Sequence, residues 1–230
     1  MTATEDSNSE DSADNPIPAT PSAREYDNTE DRPLIEVLDD PLALFHDWLA
    51  DAKASEVSDA NAMALATVDD EGLPDVRIVL LKDFSPDGFT FYTNYDSTKG
   101  RQLYGQSKAA LNFHWKSLGR QVRIRGPVSR GKPADADAYF ASRAKDSQIG
   151  AWASHQSQAL PERDALVARH TLLADLYRDD DHIPRPPHWG GYILSPSSIE
   201  FWQDQAYRLH DRVVYSREFG QPWTHIRLNP

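Results

Sequence analysis

The chain of 230 residues contains no cysteine, which excludes disulfides, thiolate zinc sites and cysteine nucleophiles together. It has no apolar run approaching the ~20 residues of a membrane span, and its first residues show neither the basic nor the apolar region of a secretory signal. A cytoplasmic protein without a membrane partner is expected. The glycine-rich dinucleotide fingerprint, the P-loop and the GxSxG elbow are all missing, so nothing supports those nucleotide-binding or hydrolase readings. The eight histidines include no pair at HExxH-type spacing, and no metal site is expected.

Acidity is scarce where the net charge of −12 would suggest abundance. Residues 1–40 hold 12 Asp/Glu against 2 Arg, leaving 24 acidic and 22 basic residues beyond them. The first ~32 residues are also poor in large apolar side chains, so they cannot offset the entropy of ordering and are expected to form a disordered acidic tail. The remainder, 33–230, shows no composition boundary and is expected to be one domain. Within it, Lys99 to Lys132 carries nine Lys/Arg and no Asp or Glu. These cations alternate with apolar residues, as in Gln121, Arg123 and Arg125 against Val122 and Ile124. That pattern suits a ligand bearing one or two phosphates better than the continuous stripe a nucleic acid needs.

Asp40-Pro41 reads as an N-cap followed by a first-turn proline, and Leu42, Phe45, Trp48, Leu49 and Ala52 follow at helical spacing. From Met63 the period changes to two. MALATV, DVRIVLLKDF and FTFYTN are separated by turns at Asp69 to Gly72 and Ser85 to Gly88. A short helix over 97–106 precedes two further strands, ALNFHWKSL and QVRIRGPVSR. Helices are predicted from Pro133, carrying Tyr139 and Phe140, and from Pro161, with the polar stretch DSQIGAWASHQSQ between them as irregular chain. WGGYILSPSSIEFWQ, RLHDRVVYSRE and WTHIRLNP return to strand. Short connections between so many strands predict a mainly β, antiparallel barrel with peripheral helices.

Two local patterns bear on function. In DVRIVLLK, pure alternation puts Arg77 and Lys82 on opposite faces, so both reach one ligand only if a bulge or a strand end redirects one. If the run beginning at Arg208 is a strand, Arg208, His210 and Arg212 share one face, and such a face is either solvated or turned to an anion.

The strings RIVLLK (Arg77 to Lys82), FYTN with Ser97 and Lys99, RQVR (Arg120 to Arg123), Tyr139 to Ser157, WGG (Trp189 to Gly191), IEFWQ and RLHDR occur in an order that closely resembles the pyridoxine/pyridoxamine 5′-phosphate oxidase family. The resemblance runs from about Pro41 to the C-terminus. It implies an FMN-binding split β-barrel working as a homodimer, with FMN at the subunit interface. It also implies oxidation of a vitamin B6 phosphate to pyridoxal 5′-phosphate with O2 and release of H2O2. On matching positions it implies that Arg77, Ile78, Val79, Leu80, Leu81, Lys82, Tyr92, Thr93, Lys99, Gln121, Gln156, Ser157, Trp202 and Arg212 hold FMN. Lys82, Tyr139, Arg143 and Ser147 would hold the substrate phosphate, and Arg208 and His210 would be the catalytic pair over the substrate ring. Thr98, Ala144 and Asp204 depart from the Arg, Pro and Gly usual there. In the tail, Arg24 and Tyr26 resemble a segment that can fold over the active site. A related flavoprotein with another substrate, and a non-catalytic carrier of FMN or pyridoxal 5′-phosphate, are the alternatives.

Overall fold

The computed structural model describes residues 32–218 and 220–230. The tail expected to be disordered, with Arg24 and Tyr26, lies outside them except for Arg32. Helix α1 (Pro41–Ser55) begins where the sequence places it: the Asp40 carboxylate accepts from the Leu42 amide at 2.9 Å, and Pro41 occupies the first turn, where an amide proton has no helical partner. Its apolar stripe of Leu44, Phe45, Trp48 and Ala52 is buried. Phe45 meets Phe84, Phe89 and Phe113 with ring centroids 5.0, 5.1 and 5.2 Å away.

The strands are β1 (Ala62–Val68), β2 (Pro74–Leu80), β3 (Asp83–Ser85), β4 (Gly88–Asn94), β5 (Lys108–Trp115), β6 (Arg120–Arg130), β7 (Trp189–Leu194), β8 (Ser198–Gln203), β9 (Asp211–Ser216) and β10 (Thr224–Arg227). Helices α2 (Thr98–Gly105), α3 (Pro133–Ala141), α4 (Lys145–Ala153) and α5 (Arg163–Leu176) lie between them. Every strand pairing is antiparallel, as expected for short connections. One path runs β10-β9-β8-β6-β5-β1-β2, and a branch runs from β6 through β7 and β4 to β3.

The long strand β6 makes the branch. Its first half pairs with β8 and its end, Val128 to Arg130, pairs with β7, while β5 follows it on the other edge from Trp115 to Lys108. Between the halves, a Cβ on Gly126 would lie 1.9 Å from the Ser195 carbonyl oxygen, so only glycine lets the β7–β8 connection pass this close. The result is a curled half-barrel.

The register separates two faces. Leu65, Leu111, Ile124, Ile199 and Tyr215 form a cross-strand row whose members are all at most 1% exposed, the centre of the core. On the opposite face run Ile78, Ala64, Asn112, Arg123, Glu200, Val214 and Ile226, one from each of seven strands. That outer face keeps Val76, Ile78 and Ile226 exposed.

Two sequence expectations change. The stretch DSQIGAWASHQSQ is not irregular: its first part forms α4, with Gln148, Ile149 and Ala153 buried. The run DVRIVLLKDF breaks after Leu80 into β2 and β3. The longer helix α5 forms, yet none of its residues is fully buried. No described helix is long and apolar enough to cross a membrane.

Removing the Phe45 ring leaves a cavity among Phe84, Phe89, Phe113 and Trp115. Phe45→Ala is expected to lower unfolding free energy by about 3–5 kcal/mol in urea titrations with an unchanged m-value. A loss below ~1 kcal/mol would show that the cluster does not carry the helix-to-sheet packing.

Candidate active site

A cavity of about 730 Å³ opens at the β2 edge of the sheet. It is lined by Arg77, Ile78, Val79, Leu80 and Lys82, by Tyr92, Thr93 and Asn94 of β4, by Lys99 of α2, by Tyr139, Arg143, Ala144 and Ser147, by Gly150, Ala151, Ser154 and Gln156, and by Trp189. Arg77 and Lys82 both reach it because β2 ends at Leu80. Leu81 turns into the core and donates its amide to the Asn61 carbonyl, so Lys82 emerges on the cavity side. The strand end is what reconciles an odd and an even position.

Arg77 and Lys99 are held mainly by neutral groups. The Arg77 guanidinium donates to the Leu65 carbonyl at 3.2 Å, to Thr67 Oγ1 at 2.5 Å and to Gln102 Oε1 at 3.2 Å, and it pairs with Asp75 at 2.5 Å. Gln102 is buried and also accepts from Thr67 at 2.5 Å. Lys99 donates to Gln156 Oε1 at 3.1 Å, and the same oxygen accepts from Thr93 at 3.3 Å. Burial, with Arg77 nearby, pulls the Lys99 ammonium below the usual lysine range.

Arg143 lies 5.0 Å from the centroid of Trp189. Its Nη1 is buried with no hydrogen-bond partner, and burial pulls the guanidinium down from its ordinary value. An orphaned buried donor of this kind is costly unless a ligand meets it. Tyr139, Arg143 and Ser147 do not share a single helix face, because the chain breaks between α3 and α4. Gln148 bridges that break, donating to the Ala141 carbonyl at 3.3 Å and the Arg143 carbonyl at 2.7 Å. Tyr92, Tyr139 and Trp189 form a cluster of near-parallel rings, with centroids 4.2, 5.3 and 6.0 Å apart. Close strand packing supports this wall: a Cβ on Gly190 would meet the Tyr95 hydroxyl at 2.1 Å.

The remaining sequence-predicted residues lie elsewhere. Leu81 is in the core, and Ser157, at φ 65, lines a separate cavity of about 170 Å³. Gln121, Trp202 and Arg212 are direct cross-strand neighbours in one row of the outer face. The expected strand face of Arg208, His210 and Arg212 is not formed. Ala206 to Arg208 make a 3-10 turn with Tyr207 and Arg208 at φ 54 and 60, and β9 starts only at Asp211. Left-handed residues cannot continue a pleat, so the apolar signal of Val213 to Tyr215 extends less far than the cations.

Arg212 is nonetheless fixed: Nε and Nη2 reach Glu200 Oε1 at 2.9 and 2.8 Å, and Nη1 donates to the Asn229 carbonyl at 2.9 Å. Glu200, buried, also pairs with Arg123. His210 lies beside Trp202, ring centroids 4.6 Å apart. At ~4.8 Å between neighbouring strands, the four steps from β2 to β8 span ~19 Å, so Trp202 and Arg212 do not wall the cavity of their own chain.

Sequence reasoning missed Asn94, Ala144, Gly150, Ala151, Ser154 and Trp189 as cavity residues. Most sit on or beside α4, whose short apolar signal, Ile149 with Ala151 and Trp152, was hidden by polar neighbours. Among the described residues no group of three His, Asp or Glu is placed to hold a metal.

This architecture is shared by solved proteins. A pyridoxamine 5′-phosphate oxidase-related, FMN-binding protein from Nostoc punctiforme has the same fold, at TM-score 0.64 and 18% identity over 81% of this chain and 97% of its own. PhzG from Burkholderia lata, solved in complex with tetrahydrophenazine-1-carboxylic acid, aligns at TM-score 0.78 and 32% identity over 90% of this chain and 96% of its own. The class is therefore the split barrel shared by these proteins. Family models for pyridoxamine 5′-phosphate oxidase and for the pyridoxine 5′-phosphate oxidase C-terminal dimerisation region match residues 49–175 and 189–230. A pyridoxine/pyridoxamine 5′-phosphate oxidase of Hyphomonas neptunium is 55% identical over 93% of this chain and 98% of its own length. That of Maricaulis maris is 55% identical over 95% and 100%. The chain belongs to the pyridoxine/pyridoxamine 5′-phosphate oxidase family.

The Thr67–Gln102–Arg77–Asp75 network makes one prediction. Gln102→Ala strips a buried acceptor from both Thr67 and Arg77, and is expected to cost about 1–3 kcal/mol in chemical denaturation. An unchanged midpoint would mean that the network does not hold Arg77.

Proposed function

We propose that this chain is an FMN-dependent oxidase that converts pyridoxamine 5′-phosphate, pyridoxine 5′-phosphate or both to pyridoxal 5′-phosphate, acting as a homodimer. The observation that carries this reading is the cavity. It gathers Arg77, Lys82, Lys99 and Arg143 beside stacked aromatic rings, and among the described residues only Arg77 of the four has a carboxylate partner. Four cations with one carboxylate suit two phosphate-bearing molecules, and the volume falls in the ~300–1,000 Å³ range of small-ligand sites.

The residues present fit FMN. Arg77, Lys99 and Gln156 offer donors to a phosphate, the β2 backbone from Ile78 to Leu80 forms a flat floor, and Tyr92 and Thr93 close one side. Lys82, Tyr139, Arg143 and Ser147 then serve the substrate phosphate, with the orphaned Nη1 of Arg143 as its donor. When bound, FMN supplies the redox chemistry, accepting hydride from the substrate C4′ carbon, with O2 as terminal oxidant and H2O2 as product.

The protein's own work is position and field. Excess positive charge favours the anionic form of a reduced flavin. Arg208 and His210 orient the substrate ring, and alignment alone is worth several kcal/mol of barrier. Among the described residues no carboxylate lines the cavity, which accords with this division of labour. A cysteine-free chain needs no oxidising compartment, in keeping with a cytoplasmic setting.

A second copy completes the site. Gln121, Trp202, Arg212, Arg208 and His210 lie on or beside the same outer face as the floor of the cavity but strands away from it. A two-fold axis between two outer faces brings the β8–β9 end of one protomer over the β2 cavity of its partner. Exposed Val76, Ile78 and Ile226 supply apolar contact for that packing. The match of residues 189–230 to a dimerisation region supports the same arrangement.

Colour, turnover, FMN binding and sedimentation check this reading. The purified protein should be yellow and should consume O2 with a B6 phosphate. Arg208→Ala is expected to retain FMN while losing about 10²-fold or more in turnover, whereas Lys99→Ala mainly weakens FMN binding. A colourless protein that takes up no added FMN would falsify the assignment. In sedimentation, a Val76→Asp/Ile226→Asp variant should fall from dimer to a single 25.9 kDa chain and release FMN. A wild-type monomer that holds FMN would refute the shared site.

A further inference from the structure

Asp204 follows β8 at the point where the chain turns towards His210, and its Oδ1 lies 3.1 Å from His210 Nδ1. The Gln205 amide approaches the same nitrogen at 3.2 Å. These two contacts make opposite demands: an amide N–H needs a lone pair on Nδ1, whereas a carboxylate needs a proton there. A charge-assisted hydrogen bond is roughly twice as strong as a neutral one, so the carboxylate prevails.

We infer that Asp204 is a positioning residue that keeps the proton of neutral His210 on Nδ1, so that Nε2 presents a lone pair. Without the carboxylate, the Gln205 amide alone would draw the lone pair to Nδ1 and send the proton to Nε2. One side chain thereby decides whether His210 accepts or donates a hydrogen bond on its free side.

The surroundings make the pair rigid. The Asp204 amide donates to the Gly119 carbonyl at 2.8 Å. Gln203 ties the end of β8 to the carbonyls of Leu118 and Gly119, each at 3.1 Å, and accepts from Arg120 at 3.0 Å. Gln205 exchanges two hydrogen bonds with the Arg32 backbone, at 3.2 and 2.8 Å. Trp202 stacks obliquely against the imidazole. Other charges nearby are committed: Arg212 to Glu200, and Asp211 to the Ile35 amide and Arg227. One further cation stands beside the pair: a Cβ built on Gly119 would lie 2.0 Å from Arg32 Nη1 and 2.9 Å from Asp204 Cβ, so both sit on the same side of that glycine.

The inference rests on the proposed function only for what meets Nε2, and its test needs no turnover. In the flavin-loaded protein labelled with 15N-histidine, two-bond proton–nitrogen correlations recorded ~2 pH units above the ordinary imidazole value distinguish the tautomers. The His210 signals are those absent from a His210→Gln spectrum. Wild type should show a protonated Nδ1, and Asp204→Gly should move the proton to Nε2. Asp204→Leu, near-isosteric and apolar, should do the same without glycine's flexibility. A bare Nδ1 in wild type, or the same tautomer in wild type and both variants, overturns the inference. An Nδ1 proton in a protein that oxidises no B6 phosphate would sink the function and leave the positioning role standing.

Discussion

At Gly126 the carbonyl of Ser195 passes within 1.9 Å of where a side chain would begin, and the shape of the protein follows from that contact. Because the β7–β8 connection crosses there, the two ends of β6 serve different neighbours, β8 on one side and β7 on the other. The branch through β7 and β4 curls back to form one wall of the cavity, while the main path carries β8 and β9 away across the outer face. One strand thus sets both the cavity and its distance from the Gln121–Trp202–Arg212 row. A Cβ at that crossing would push the connection out and disturb both halves together.

The cations of the molecule fall into two electrostatic classes that map onto those halves. On the outer face, buried Glu200 takes both Arg123 and Arg212, so the two guanidiniums share one carboxylate and are held in fixed orientation. In the cavity, Lys82, Lys99 and Arg143 have no carboxylate within ion-pair distance among the described residues, and desolvation weakens the charged forms of Lys99 and Arg143. A charge kept costly in this way is relieved by an anion. The first class suits orientation of a planar ligand; the second suits phosphate.

Much of this was legible in the sequence. Asp40-Pro41 marked the start of α1 and the two-residue period marked the strands, whereas of the nine cations between Lys99 and Lys132 only Lys99 lines the cavity. The odd and even positions of Arg77 and Lys82 posed a problem whose answer, a strand end, was among the possibilities the alternation left open. What stayed hidden depends on contacts distant in sequence. Helix α4 is stabilised by burying Ile149 in a cluster with Phe140, Ile183 and Trp189 rather than by a strong local pattern. That Gln121 joins Trp202 and Arg212 in one row is a fact of register, set by a β6–β8 pairing between residues 81 apart in sequence, and no local window contains it.

The turn at Tyr207 and Arg208 shows why periodicity failed where chemistry is densest. Two consecutive left-handed residues other than glycine cost of order 1–3 kcal/mol each, and such strain persists only where the surroundings over-determine it. Here they do: Asp204 is tied to Gly119, Gln205 to Arg32, and Asp211 to Ile35 and Arg227, so both ends of the turn are fixed. A regular strand would have spread Arg208, His210 and Arg212 along one face at fixed spacing. The strained turn instead frees Arg208 from the pleat and sets the His210 ring against Trp202 and Asp204, while Arg212 stays in the row with Glu200. The cost in backbone energy thus separates three side chains that a pleat would have kept equivalent.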